Sequence, residues 1–423
     1  MREEIMAITA IKGFNDILPN ESGRWQHIEQ AARSVFELNG FSEIRVPVME
    51  KTELFRRSIG DATDIVEKEM YTFVDKGENS VTLRPEGTAG VMRAFIEHKL
   101  YAHDPVAKLY YLGPMFRYER PQKGRYRQFH QIGAEITGVH DPLADAQVLN
   151  MLTAFFREIG LDEPQLQINS LGCPECRPAY RKVLISFLEG RLDKLCEDCK
   201  RRFTTNPLRT LDCKVPGCIE ATAGAPSMLD HLCGGCNDHF ESVQRYLGLT
   251  GTPFTINPRM VRGLDYYTRT TFEMVTGLLG SQSAVAAGGR YDGLISQLGG
   301  PSIPGIGFAM GVERVALLLG ERDFSRQPDL FIATLGAGER AYAFRLMSDL
   351  QQLGVRVEMD YEGKSLKSQM RRADKLGARY SVVIGENEVV AGTAIFKRMA
   401  DGEQSKVAIS AQDVKQLLAI AQS

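Results

Sequence analysis

Charge of one sign is missing from this chain: 51 Lys and Arg stand against 53 Asp and Glu over 423 residues, a formal net charge of −2. That excludes a whole-chain basic footprint, so any polyanionic partner must be met by local patches. No apolar run approaches the ~18 residues of a membrane span. The opening segment MREEIMAITAIKG is acidic and has no apolar stretch, so neither a span nor a secretory signal is expected. Cysteine is absent from most of the chain, since all eight lie between Cys173 and Cys236. So low a count excludes a disulfide scaffold, and the cytoplasmic location expected here disfavours disulfides in any case. Common site signatures are missing too. Gly363-Lys364-Ser365 lacks the first P-loop glycine, because Glu358 holds that position. Gly305, Gly307 and Gly311 are spaced one residue too long for the dinucleotide fingerprint, and neither HExxH nor a G-x-S-x-G elbow occurs.

What is present is a globular composition, 43% hydrophobic and 25% charged, long enough for two or three domains. Apolar spacing predicts a helix over 24–39, then a strand over 41–50 that Pro47 places at an edge or interface. A hairpin turning at 76–80 and a helix from 88 to about 100 follow. KLYYLGPMFRYE and RQFHQIGAEITG read as an antiparallel pair, and 143–159 as a helix. After the cysteines, 257–275 is strand-rich, 283–298 reads strand, Gly-Gly, helix, and 303–319 strand, helix. A polar linker, 321–329, leads to strands at 329–334, 355–359, 380–385 and 392–398. These alternate with helices at 339–353, 365–376 and 411–421, the pattern of a small α/β domain.

Two segments carry the chemistry-bearing residues. FRYERPQKGRYRQFHQIGAE concentrates Arg117, Arg120, Lys123, Arg125 and Arg127, with Glu119 as its one nearby acid. Such a run is either a solvated hairpin tip or an anion site. Arg117 and Gln131 stand on the flanking strands, and Phe116, Tyr126 and Phe129 offer stacking surfaces. In GIGFAMGVERVALLL, Arg314 opens an apolar helix, where it either snorkels, pairs with Glu313 or meets a ligand. The cysteines form pairs, Cys173-Cys176, Cys196-Cys199, Cys213-Cys218 and Cys233-Cys236, spaced like zinc knuckles. They make at most two four-cysteine structural Zn²⁺ sites whose pairing order is not deducible from spacing, with His231 and His239 as substitute ligands. Redox pairs, an iron–sulfur cluster and free thiols are the alternatives.

Together these strings resemble the histidyl-tRNA synthetase family. FRYE with its basic loop is similar to motif 2 of the class II aminoacyl-tRNA synthetases, GIGFAMGVER to motif 3, and EIRVPVMEKTELF to the dimer-interface motif 1. VRGLDYYTRTTFE and AAGGRYDGL resemble the two histidine signatures, and TLRPEGT also matches. The resemblance implies an α+β fold: a class II antiparallel sheet flanked by helices over 1–325, interrupted by a cysteine-rich insertion at 170–255 that leans on the tRNA acceptor stem. An α/β anticodon-binding domain at 329–423 completes it. It implies a histidine–tRNA ligase that uses ATP and Mg²⁺, acts on tRNA(His), forms a homodimer and has no membrane partner. Arg117 and Arg262 are then the catalytic cations, with Arg125 on the terminal phosphates and Phe129 and Arg314 on the adenine. Glu86, Gly87, Thr88 and Gln131 surround the histidine ammonium, and Glu135, Tyr266, Tyr267 and Tyr291 the imidazole. Gly288 and Gly289 admit backbone approach to a ligand or form a turn. Lys364, Lys367, Arg371 and Lys375 share one helix face as either a solvated surface or a phosphate contact. The competing reading is a catalytically inactive, synthetase-like regulatory subunit of a histidine-biosynthetic phosphoribosyltransferase.

Overall fold

The structure is a computed structural model that describes residues 7–60, 63–264, 266–279 and 283–420. The first six residues of the opening segment, 61–62, Asp265 of the first histidine signature, 280–282 and 421–423, where the last helix was expected to end, lie outside the described residues. The chain divides into two compact units, Met1–Phe324 and Ser325–Ser423.

The first unit is built on an eight-stranded sheet. Its strands are β1 (Ser42–Glu43), β5 (Ala107–Phe116), β6 (Gln128–Thr137), β7 (Gln165–Ser170), β8 (Thr255–Ile256), β9 (Thr268–Val275), β10 (Ala284–Arg290) and β11 (Gly305–Gly311). They run in the order β1-β5-β6-β11-β10-β9-β7-β8. All pairs are antiparallel except β1 with β5 and β7 with β8 at the two edges. A smaller antiparallel sheet holds β2 (Met49–Lys51), β4 (Ser80–Leu83) and β3 (Tyr71–Val74). The strand expected over 41–50 is thus two short strands in different sheets, with Pro47 between them where it disturbs neither ladder.

Period-two alternation divides the large sheet into a core face and a site face. Ile132, Ala134 and Ile136 of β6, Ile306, Phe308 and Met310 of β11, and Phe272 and Met274 of β9 join one buried cluster. Val148, Leu149, Leu152 and Phe155 of the helix Pro142–Glu158, Ile28 and Phe36 of Pro19–Leu38, and Phe240 and Val243 of Gly234–Leu249 complete it. The helix Pro142–Glu158 starts as its sequence requires, with Pro142 in the first turn and the Asp141 carboxylate accepting from the Leu143 N–H at 2.8 Å. A buried triad ties it in: Asp145 pairs with Arg290 of β10 and with His239 Nε2 at 3.0 Å. His239 is therefore committed to a carboxylate and stands outside the cysteine groups, which contain cysteines only among the described residues.

The site face carries the odd residues of β6 and β11. Register sets Glu135 opposite Gly307, Gly133 opposite Ala309 and Gln131 opposite Gly311. A Cβ on Gly307 would lie 1.7 Å from Glu135 Oε2 and 2.5 Å from the Ala134 carbonyl oxygen. Gly307→Ala is expected to cost about 1–3 kcal/mol by overpacking, measured by urea unfolding, because neither the buried carboxylate nor the backbone can withdraw. Gly288 and Gly289 do not form a turn. They lie inside β10, where a Cβ would meet the Gly307 carbonyl oxygen at 2.1 Å and Tyr267 Cδ1 at 2.9 Å, respectively.

In the second unit, β12 (Leu330–Thr334), β13 (Val357–Met359), β14 (Tyr380–Ile384), β15 (Thr393–Arg398) and β16 (Gln404–Ala408) run in the order β13-β12-β14-β15-β16. The first three are parallel and the last two pairings antiparallel. β16 and the short helix Glu386–Ala391 add to the expected elements. β16 is polar and mostly half-buried at the sheet edge, so it carries little alternation to read. No helix among the described residues is long and apolar enough to cross a membrane.

Candidate functional site

A solvent-open cleft of about 230 Å³ lies on the site face of the large sheet. It gathers ten of the expected residues from six places in the chain: Glu86, Thr88, Arg117, Arg125, Phe129, Gln131, Arg262, Tyr266, Tyr267 and Arg314. Glu135 and Tyr291 are buried alongside, and they close one end by hydrogen bonds.

That end is a carboxylate–hydroxyl cluster. Thr88 Oγ1 donates to Glu135 Oε1 at 2.7 Å, and the Tyr291 hydroxyl donates to Glu135 Oε2 at 2.6 Å. Glu135 is fully buried, and burial pushes its carboxyl up to about 8 against the pull of those two donors. Burial also raises Glu86, although the N–H groups of Thr88 and Ala89, at the start of the helix Thr88–Glu97, donate to its two oxygens at 2.7 and 2.9 Å. Tyr266 packs on Tyr267 at 4.7 Å and on Tyr291 at 5.9 Å between ring centroids. Burial holds all three phenols protonated. Gln131 Oε1 is buried and has no hydrogen-bond partner among the described residues. The pocket thus offers two carboxyls, an unmet amide oxygen and three phenols to a small polar ligand with donors at both ends.

Tyr111 is buried beside this pocket, in one apolar cluster with Tyr266, Tyr267 and Tyr291, and was not singled out from sequence. Its hydroxyl is buried without a hydrogen-bond partner among the described residues. Its ring fills the space a Cβ on Gly87 or Gly133 would occupy, at 2.2 and 2.3 Å. Gly87 makes room for the Tyr111 ring between Glu86 and Thr88, which line the cleft. Only the spacing of small residues on the neighbouring strand and loop carries that signal.

The other end is cationic. Arg117 Nε donates to the Pro85 carbonyl oxygen at 2.8 Å, and its guanidinium lies 5.3 Å from the Phe129 ring. Arg125 donates to Glu119 Oε2 at 2.8 Å. Arg262 pairs with Glu273 of β9 and lies 5.7 Å from the Tyr267 ring, joining the two ends of the cleft. Arg314 stands in the first turn of the helix Val312–Leu319, where burial and the nearby Arg125 lower its proton affinity. Glu313 serves another partner: its carboxylate accepts from the His130 N–H at 2.8 Å. The basic run therefore divides. Arg117 and Arg125 face the cleft, Arg127 stacks 3.8 Å over Tyr118, and Arg120 and Lys123 are exposed at the tip.

An antiparallel sheet with flanking helices, a motif-2 hairpin and a motif-3 strand–helix around one cleft defines a class II aminoacyl-tRNA synthetase fold. The family model described as Histidyl-tRNA synthetase matches residues 13–175 and 208–315, and the one described as Anticodon binding domain matches 329–416. A histidine–tRNA ligase from Pelobacter propionicus is 81% identical over 98% of this chain and 100% of its own length. One from Geobacter metallireducens is 73% identical over 95% and 97%. The apo histidyl-tRNA synthetase of S. aureus superposes with a TM-score of 0.81 at 37% identity, covering 99% of this chain and 100% of that one. The chain belongs to the histidyl-tRNA synthetase family.

Proposed function

We propose that the cleft joins histidine to ATP and passes it to tRNA(His). In the first step a histidine carboxylate oxygen attacks the α-phosphate, giving histidyl-adenylate with pyrophosphate leaving. In the second, a hydroxyl of the terminal tRNA ribose attacks the adenylate carbonyl and AMP leaves. The observation that carries this reading is the continuity of the two ends: one sheet face holds a closed carboxyl–phenol pocket and, directly beside it, four arginines.

Both reactants of the first step are anions, and charge grows on the α-phosphate oxygens, so fixed cations lower the barrier. Arg117 and Arg262 are assigned that task, with Glu273 fixing the orientation of Arg262. Arg125 is assigned to the terminal phosphates, and Arg314 with Phe129 to the two faces of adenine. The carboxylates on this side, Glu119 and Glu313, are already paired with Arg125 and His130. That donor set fits a Mg²⁺ ion carried by phosphate oxygens and water, where it would neutralise the leaving pyrophosphate. Glu86, Thr88 and Gln131 are assigned to the histidine ammonium, and Glu135, Tyr266, Tyr267 and Tyr291 to the imidazole. The eight cysteines, as structural Zn²⁺ ligands, lie outside this chemistry.

By domain, the proposal gives catalysis to 1–325, acceptor-stem contact to the insertion at 170–255, and the anticodon to 329–423, in a cytoplasmic homodimer. Within the last of these, Lys367, Arg371 and Lys375 are exposed on the helix Leu366–Lys375, opposite its buried Gln369 and Ala373. Lys364 precedes that helix and pairs with Glu362 at 2.6 Å. Replacing Lys367, Arg371 and Lys375 together by alanine is expected to raise the KM for tRNA(His) at least about tenfold and flatten its salt dependence, with pyrophosphate exchange unchanged. An unchanged KM would assign that face to solvent.

Histidine-dependent ATP–pyrophosphate exchange, followed by charging of tRNA(His), tests the whole reading. Absence of exchange refutes it and leaves the regulatory-subunit alternative. Exchange without charging points to an adenylate-forming protein that does not serve tRNA.

A further inference from the structure

The eight cysteines fold into two separate cages with a nested pairing that their spacing left open. Cys173, Cys176, Cys233 and Cys236 form the outer cage, and Cys196, Cys199, Cys213 and Cys218 the inner one. Within each cage all four sulfurs lie within 4.8 Å of one another. Cys173 Sγ is 3.5 Å from Cys176 Sγ and 3.9 Å from Cys233 Sγ, and Cys196 Sγ is 3.9 Å from Cys213 Sγ. A tetrahedral ion with metal–sulfur bonds of about 2.3 Å holds its sulfurs about 3.8 Å apart. Disulfide bonding would bring a pair to about 2.05 Å, and a polynuclear iron–sulfur core would push all four outward.

The surroundings repeat from one cage to the other. The Cys233 N–H donates to Cys176 Sγ at 3.1 Å, and the Cys196 N–H donates to Cys218 Sγ at 3.1 Å. Amide donors aimed at ligand sulfurs are the second shell a metal-bound thiolate requires. Each cage has two buried and two half-buried cysteines in a small apolar core with Tyr180, Leu184, Leu188 and Met228.

The outer cage also reaches the tyrosine pair. Cys173 follows closely on the end of β7. There the Leu171 N–H donates to the Arg269 carbonyl oxygen at 2.7 Å, and the Arg269 N–H donates to the Gly172 carbonyl oxygen at 2.9 Å. Arg177, next to Cys176, donates through Nε to the Leu171 carbonyl oxygen at 3.2 Å and through Nη2 to the Tyr267 carbonyl oxygen. Gly172 has a φ of +63°, and a Cβ there would lie 2.2 Å from Met228 Cε and 2.9 Å from Cys176 Cβ. Arg269 holds a φ of +50°, a conformation a non-glycine residue keeps only when its neighbours enforce it.

We propose that each cage binds one Zn²⁺ ion through four thiolates, and that the outer ion positions the segment carrying Tyr266 and Tyr267. The metal assignment stands independently; the positioning role rests on the histidine-activating reading of the cleft.

Elemental analysis of protein purified without chelator is expected to find close to two Zn per chain, with Co²⁺-substituted protein showing the visible spectrum of tetrahedral tetrathiolate sites. Zinc below about 0.3 per chain, or iron in its place, overturns the assignment. The pairs Cys173→Ser/Cys233→Ser and Cys196→Ser/Cys213→Ser are each expected to retain one ion; loss of both from either pair overturns two independent sites. The outer pair is expected to raise the KM for histidine about tenfold while the KM for ATP stays within about twofold. Should that variant fail to fold, amide exchange over 266–269 is compared in zinc-loaded and zinc-depleted wild type. Faster exchange on depletion supports positioning, and unchanged exchange overturns it. Metal content and amide exchange remain readable if the chain activates no histidine, so failure of either reading is told apart.

Discussion

Glu135→Gln is expected to lower kcat/KM for histidine in pyrophosphate exchange on the order of 10³-fold or more, and at the same time to stabilise the empty protein at alkaline pH. The two effects have one cause. The carboxyl is fully buried, with Thr88 and Tyr291 donating to it, and burial lifts it from 4.5 to about 8. Between those values the folded chain keeps a proton that the unfolded chain has lost. Stability therefore falls as pH rises from about 4.5 to 8 and is fully reduced above it, by a few kcal/mol as an upper bound. Glutamine carries no such slope and offers the two hydroxyls an oxygen and an amide. The gap between variant and wild type in urea melts should thus grow from pH 5 to pH 8.5 in the variant's favour. Histidine sees the opposite. In the role proposed for Glu135, the histidine ring N–H is the partner that burial withholds from the carboxylate, and a site built to hydrogen-bond a polar group loses 10⁴–10⁵ at most when the match fails. A variant less stable than wild type at pH 8.5, or exchange within tenfold of wild type, would remove Glu135 from this role.

Arg262→His is expected to reduce adenylate formation by roughly 10²–10³-fold while the protein still unfolds cooperatively. Arg262 is mostly buried beside Tyr267, and its guanidinium is paired with Glu273 on the adjacent strand. Burial works against its charge, and the Glu273 carboxylate restores it, so the cation is fixed before any anion arrives. Imidazole keeps a donor for Glu273 but not a permanent charge or a planar fork. Single-turnover adenylate formation separates this from weaker histidine binding: kcat should fall with little change in the KM for histidine. Near-normal exchange in the variant would show that the α-phosphate is met by Arg117 without it.

The cationic part of this cleft was legible because its residues are chemically conspicuous; the carboxyl and phenol end was expected only through the family resemblance. Arginines set among apolar residues, such as Arg117 just past the end of β5 and Arg314 in the first turn of a helix, demand a partner, and the two tyrosines after Asp265 were reached through the family signature that contains them. Tyr111 was not legible, because a tyrosine in KLYYLGPM reads as ordinary strand. Its place depends on Gly87 from one element and Gly133 from another both leaving room for its ring. The turn reading of the doublet Gly288-Gly289 failed for the same reason, since both residues lie inside β10, where β11 and Tyr267 come close. The segment 41–50 also misled. Its apolar alternation is real, but the chain passes from one sheet to another within it.

Local pattern alone carried the small α/β domain, the cationic segments and the clustering of cysteine, because each depends on residue type and near-neighbour spacing, whereas the class II sheet and the expected histidine pocket were implied by the family resemblance of longer strings. Folding settled the register that sets Glu135 over Gly307, the pairing of Arg262 with Glu273, and the division of eight cysteines into an outer and an inner cage. Each of these joins residues from separate elements, and a sequence holds no distance between them until the sheet and the packed helices bring them within bonding range.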